Sequence, residues 1–191
     1  MNLPNKLTIL RFLLTPVFML FVMLNFKGHF LIAMLIFIVA SITDYFDGKI
    51  ARERNLITDF GKFLDPIADK MLTTAAFLGF TAKGMGYGIV WITFIVLLRE
   101  FAVTSVRLAA SSNGKVIAAN YWGKLKTVVQ MVAIIATLFF SFIINAFSLP
   151  VIAAQTLEII YSVLLWISAV LTLISGATYI IYNKDYVNFN K

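Results

Sequence analysis

Residues 41–70 read SITDYFDGKIARERNLITDFGKFLDPIADK, and four aspartates in this stretch, Asp44, Asp47, Asp65 and Asp69, fall at the ends of two long apolar runs. On insertion scales a carboxylate at membrane depth costs about 2.5–3.5 kcal/mol. Four of them together need strong compensation, and a hard divalent cation is the simplest source of it. At about 100° per residue, Asp44, Asp47, Gly48, Ala51 and Arg52 share one helix face about 140° wide. Asp65 and Asp69 are one turn apart on the next helix, and Gly61 lies a turn before Asp65. If these two helices pack as an antiparallel pair, the four carboxylates converge across the seam. Two starts suit the second helix. Asp65-Pro66 can supply N-cap and first residue, or the helix begins near Thr58 or Asp59 and carries Pro66 inside it.

The remainder of the chain agrees with a membrane setting. Of 191 residues, 61% are hydrophobic and 13% charged, and the mean hydropathy is +0.91. A soluble domain is about half apolar and about a quarter charged. The composition implies one integral membrane domain spanning 1–191. The absence of cysteine excludes disulfides, thiolate metal sites and cysteine nucleophiles. A single histidine excludes a multi-histidine metal cluster, and His29, in the polar break Asn25–His29, reads as a solvated loop residue. The net charge of +7 points to membrane topology and anionic ligands. Nucleic acid is not expected, because no soluble module presents a basic face.

Six apolar stretches can cross a bilayer, at roughly 8–26, 30–50, 63–82, 88–110, 125–147 and 157–182. The expected class is an all-α polytopic membrane protein with six transmembrane helices. Arg11 and Pro16 interrupt the first stretch, whose start suits an amphipathic interfacial piece. No small-x-small cleavage site follows Lys6 and Arg11, so this segment reads as a span rather than a cleaved leader. With six spans both termini share a side. Of the 16 basic residues, all but Lys27 and Lys83 fall on that side, a 14:2 split. By the positive-inside rule both termini and the aspartates face the cytoplasm.

The residue types around the aspartates suit phosphoryl chemistry. Oxygen ligands without histidine or cysteine select Mg²⁺, Mn²⁺ or Ca²⁺ over zinc. Two such cations can clamp a diphosphate. Gly48 and Ala51 remove bulk so that a base or ribose can approach the backbone, Gly61 opens room opposite, and Arg52 can contact phosphate bidentately. A cation transporter would also put carboxylates in membrane helices. This cluster, however, sits at a membrane face rather than the midplane, beside small residues and an arginine that suit a bulky anion.

The run Asp44-x2-Asp47-Gly48-x2-Ala51-Arg52-x8-Gly61-x3-Asp65-x3-Asp69 resembles the CDP-alcohol phosphatidyltransferase motif at all specified positions. The resemblance implies a six-helix membrane enzyme, usually a homodimer, that uses two divalent cations, Mg²⁺ or Mn²⁺, to displace CMP. It implies that Asp44, Asp47 and Asp65 bind metal, and that Asp69 both ligates metal and acts as general base. Gly48, Ala51, Arg52 and Gly61 would line the CDP pocket.

A second basic set follows. Arg99 and Arg107 are about 80° apart on a helix, and Lys124 and Lys126 open the fifth stretch. Adjacent side chains on a helix point apart, so Glu100 is not expected to occupy Arg99. Cations near a metal site suit an acceptor that carries its own phosphate. Arg99-Glu100-Phe101 through Arg107-Leu108, Gly123-Lys124-Leu125-Lys126-Thr127 and the opening Pro4-Asn5-Lys6-Leu7-Thr8-x2-Arg11 resemble the bacterial branch of that family. There the implied donor is CDP-diacylglycerol, the acceptor sn-glycerol 3-phosphate and the location the cell membrane. This likeness covers roughly residues 4–130, and the last two stretches read as generic apolar helices.

Overall fold

The computed structural model describes residues 3–53, 59–112, 121–147 and 149–183, and among them the side chains of 5–44, 67–68, 70–110, 121–147 and 149–183. These residues form six helices: α1 Leu3–Met23, α2 His29–Glu53, α3 Asp59–Lys83, α4 Ile89–Ser112, α5 Tyr121–Phe147 and α6 Val151–Asn183. Each expected span coincides largely with one of them, the first running three residues past the end of α1 and the fourth starting one residue before α4. Four helical segments, in α1, α4, α5 and α6, are long and apolar enough to cross a membrane, and the chain is an integral membrane protein.

Helix α1 is continuous through Pro16, so Arg11 and Pro16 do not break it. Proline removes one backbone donor from the helix ladder. Just before it, the Thr15 hydroxyl donates to the Arg11 carbonyl at 2.9 Å. Helix α3 begins at Asp59, which settles the two possible starts and puts Pro66 inside the helix.

The α3–α4 turn shows why the chain reverses where it does. Gly84 has φ of +65°, a left-handed conformation that glycine adopts without penalty. The Met85 amide donates to the Phe80 carbonyl at 2.9 Å and the Gly84 amide to that of Thr81 at 3.2 Å. This is a Schellman ending, sealed by contact between residues such as the buried Phe80 and Met85.

Around the bundle the helices follow the order α1, α2, α5, α6, α4, α3, each packing on its two neighbours, so that α3 returns to α1. The expected α2–α3 pair is not the main contact. Among the described residues those helices meet only slightly, and α1 packs against both. The reason is steric. Small residues let helices approach closely, and a Cβ added at Gly79 of α3 would lie 3.0 Å from Val22 of α1. The core beside this contact joins Phe18, Ala33, Phe37, Ala76, Phe77 and Phe80.

Nor is His29 a solvated loop residue. It is only 2% exposed, its Nδ1 lies 2.9 Å from the Phe21 carbonyl, and its ring sits 3.9 Å from that of Phe30. A polar sequence break marked a turn, but the aromatic residues flanking it bury the imidazole.

Candidate functional site

Helix α2 carries Asp44, Asp47, Gly48, Ala51 and Arg52, and α3 carries Gly61, Asp65 and Asp69. Of the four aspartates, the Asp44 side chain is described; those of Asp47, Asp65 and Asp69, and of Gly48, Ala51, Arg52 and Gly61, lie outside the described residues. Asp44 is about one-third exposed and accepts an ion pair from Arg11 Nη1, whose own side chain is 2% exposed. Arg11 thus crosses from α1 to α2 and holds a motif carboxylate. A buried arginine needs a charged partner, because leaving one alone is strongly destabilising. Such an outer partner also orients a metal ligand. The donor set is all carboxylate, and Asp44 lies on the helix face that carries the rest of the α2 motif, so the residues fit a hard divalent cation.

A cavity of about 430 Å³ opens between α3, α4, α5 and α6. Its α4 wall presents Arg99, Glu100, Thr104 and Arg107, and its α5 wall Lys124, Lys126, Thr127 and Gln130. Lys70 and Thr73 come from α3, and Tyr179 from α6. All four predicted cations, Arg99, Arg107, Lys124 and Lys126, therefore border one cavity. The α3 wall links it to the aspartates. Lys70 directly follows Asp69 in the chain, and Thr73 stands one helical turn beyond Asp69.

The cations are organised by Glu100. Its Oε1 accepts from Lys126, and from Arg99 Nη1 at 3.2 Å. Lys70 Nζ lies 4.0 Å from Oε2 and also donates to Thr104 Oγ1, which in turn donates to the Glu100 carbonyl at 2.6 Å. The expectation that Glu100 would leave Arg99 alone is thus overturned. Neighbouring side chains do leave a helix in different directions, but both are long. Arg99 is drawn toward α6, where Nη2 donates to Ser175 Oγ at 2.9 Å, and Glu100 toward Lys126 of α5. Three cations around one carboxylate leave net positive charge in the cavity wall. Arg107, nearer the end of α4, places its guanidinium 5.9 Å over the Tyr179 ring, within cation–π range.

Helix α6 is not generic. A Cβ at Gly176 would lie 2.8 Å from Arg99 Cγ, so glycine there admits the arginine between α4 and α6. Because the clash falls near the root of that side chain, Gly176→Ala should cost about 1–3 kcal/mol. Thermal unfolding in detergent measures it, and an unchanged midpoint would show that the two helices part freely. The spacing singled out neither Lys70, Gln130 nor Tyr179. Each looks like an ordinary polar residue in its helix until the tertiary fold turns it toward the cavity.

The model for CDP-alcohol phosphatidyltransferase matches residues 1–174. The chain belongs to this family. Membership extends the likeness well past residue 130, into α6. Among its curated relatives is a "CDP-diacylglycerol--glycerol-3-phosphate 3-phosphatidyltransferase" of Bacillus subtilis (strain 168), 36% identical over 96% of each chain. Another is a "Probable phosphatidylglycerophosphate synthase" of Mycobacterium tuberculosis (strain ATCC 25618 / H37Rv), 40% identical over 94% of this chain and 80% of the relative. A third, from Rickettsia bellii (strain RML369-C), carries the same name as the Bacillus protein and is 36% identical over 97% of each chain.

Proposed function

We propose that this chain transfers the phosphatidyl group of CDP-diacylglycerol to sn-glycerol 3-phosphate, giving phosphatidylglycerophosphate and CMP. It is then a phosphotransferase for substituted phosphate groups. The observation that carries the reading is the cationic cavity walled by the same helix, α3, that bears Asp65 and Asp69. An acceptor with its own phosphate fits there, with its reacting hydroxyl toward the aspartates. The names of the relatives support the same donor and acceptor.

In this reading Asp44, Asp47, Asp65 and Asp69 would hold two divalent cations, Mg²⁺ or Mn²⁺, which when bound polarise the donor diphosphate and offset charge on the leaving CMP. Arg11 keeps Asp44 in place. Gly48, Ala51 and Gly61 leave room for the CDP moiety, and Arg52 contacts its phosphate. Arg99, Arg107, Lys124 and Lys126 hold the acceptor phosphate. Asp69 takes the proton from the 1-hydroxyl, the resulting oxygen bonds to the lipid-side phosphorus, and the bond from that phosphorus to the CMP oxygen breaks. The whole chain acts as one domain of six spans with both termini cytoplasmic, in a bacterial cell membrane, as a homodimer. The lipid tails stay in the bilayer while the water-soluble acceptor enters from the cytoplasm.

An acceptor screen tests this. Purified protein with labelled CDP-diacylglycerol and Mg²⁺ or Mn²⁺ should release CMP with sn-glycerol 3-phosphate, and a chelator should stop it. Release with serine, inositol phosphate or phosphatidylglycerol instead would reassign the acceptor. Activity that survives chelation would remove the cations from the mechanism.

A further inference from the structure

Two residues of the cavity wall carry buried neutral polar groups that the cation cluster does not hydrogen-bond. Gln130 is 2% exposed and Tyr179 4% exposed. Gln130 Nε2 and Tyr179 Oη have no hydrogen-bond partner among the described residues, although both residues line the cavity. A buried donor left without a partner costs about 1–3 kcal/mol, and such groups need explaining by an absent water or ligand. Their positions tie them to the phosphate site. Gln130 stands one turn beyond Lys126 on the same face of α5, and Tyr179 one turn beyond Ser175, the partner of Arg99 on α6. Arg107 covers the tyrosine ring.

The chemistry of these groups differs from that of the cations beside them. An amide N–H donates without carrying charge, and a phenol O–H both donates and accepts. Neutral donors match a neutral oxygen, whereas the surrounding Arg99, Arg107, Lys124 and Lys126 match a phosphate. An acceptor such as glycerol 3-phosphate presents one hydroxyl that reacts, one that does not, and a phosphate. We infer that Gln130 and Tyr179 are specificity-determining residues that hydrogen-bond the non-reacting hydroxyl of the acceptor. The cavity thereby distinguishes a phosphorylated polyol from a phosphorylated simple alcohol. This rests on the acceptor reading given above.

The test compares sn-glycerol 3-phosphate with 3-hydroxypropyl phosphate, which has the same phosphate and reacting hydroxyl but lacks the other. A site that hydrogen-bonds a substrate hydroxyl discriminates against the analogue lacking it, because its own polar groups are left unpaired. Wild-type enzyme should prefer glycerol 3-phosphate by about tenfold to hundredfold in kcat/KM. Tyr179→Phe, which removes only the hydroxyl, and Gln130→Met, which keeps the length, should each reduce that preference. They should do so by raising the glycerol 3-phosphate KM, with the CDP-diacylglycerol KM and activity on the analogue little changed. Equal losses on both acceptors would place the two groups on the phosphate and overturn the assignment. Preference retained in both variants would overturn it too. Failure of the wild type to release CMP with glycerol 3-phosphate is a separate result, which rejects the acceptor reading itself.

Discussion

Asp69→Asn should lower the rate of CMP release by about 10²–10⁴-fold, the range expected for losing a general base. Asparagine keeps the shape of the side chain but takes no proton, and as a neutral ligand it binds a hard cation less well. The position on α3 makes the effect specific to turnover. Asp69 precedes Lys70, and Thr73 follows one turn later; both of these line the acceptor cavity. In the proposed reading Asp44, on α2 and held by Arg11, would remain to serve the donor side. Binding of CDP-diacylglycerol should therefore persist in the variant. Single-turnover CMP release and donor binding, measured on the same preparation, separate the two. A variant that turns over at a rate near that of the parent would deny Asp69 the role of base, and one that no longer binds donor would make it chiefly a ligand for the donor site.

Glu100→Ala should be the most destabilising change in the cavity wall. The carboxylate is shared by Lys126 and Arg99, with Lys70 close by, and all except Lys70 are largely buried. Removing the common partner of buried charges costs about 3–5 kcal/mol, much of it the penalty of leaving the cations uncompensated. The corresponding fall in thermal midpoint is about 6–20 °C for a chain of this size. Glu100→Gln retains an acceptor oxygen and should lose less. An anion can replace the missing charge, so glycerol 3-phosphate should raise the midpoint of Glu100→Ala more than that of the parent. Thermal unfolding in detergent, with and without the acceptor, reads both effects. Equal midpoints and equal ligand shifts in the two proteins would show that Glu100 does not organise the cations.

The places where sequence and structure part company have identifiable physical causes. His29 reads as a loop residue because its sequence neighbours are polar, but Phe26 and Phe30 enclose it. Arg99 and Glu100 read as divergent because helical geometry separates their Cβ directions, yet long side chains bend toward partners on α6 and α5. Helices α2 and α3 read as a direct pair because they are consecutive, but α1 packs on both through Gly79 and the core phenylalanines. For Arg99, Glu100 and the α2–α3 pair a partner distant in sequence outweighs a local preference, whereas His29 is enclosed by aromatic rings one and three positions away.

Alone, the sequence determined the class, the approximate limits of the helices and the chemistry. Apolar length sets a helix, because an unpaired backbone cannot stay in a bilayer, and the spacing from Asp44 to Asp69 sets which face each aspartate occupies. Tertiary structure alone decided which helices adjoin and what closes the cavity. It brought Arg11 to Asp44, gathered Lys70, Arg99 and Lys126 around Glu100, and turned Gln130 and Tyr179 inward with no protein partner among the described residues. Apart from Arg99–Glu100, the ion pairs among them link residues tens of positions apart. Their existence depends on close packing between helices, which periodicity within one helix does not encode.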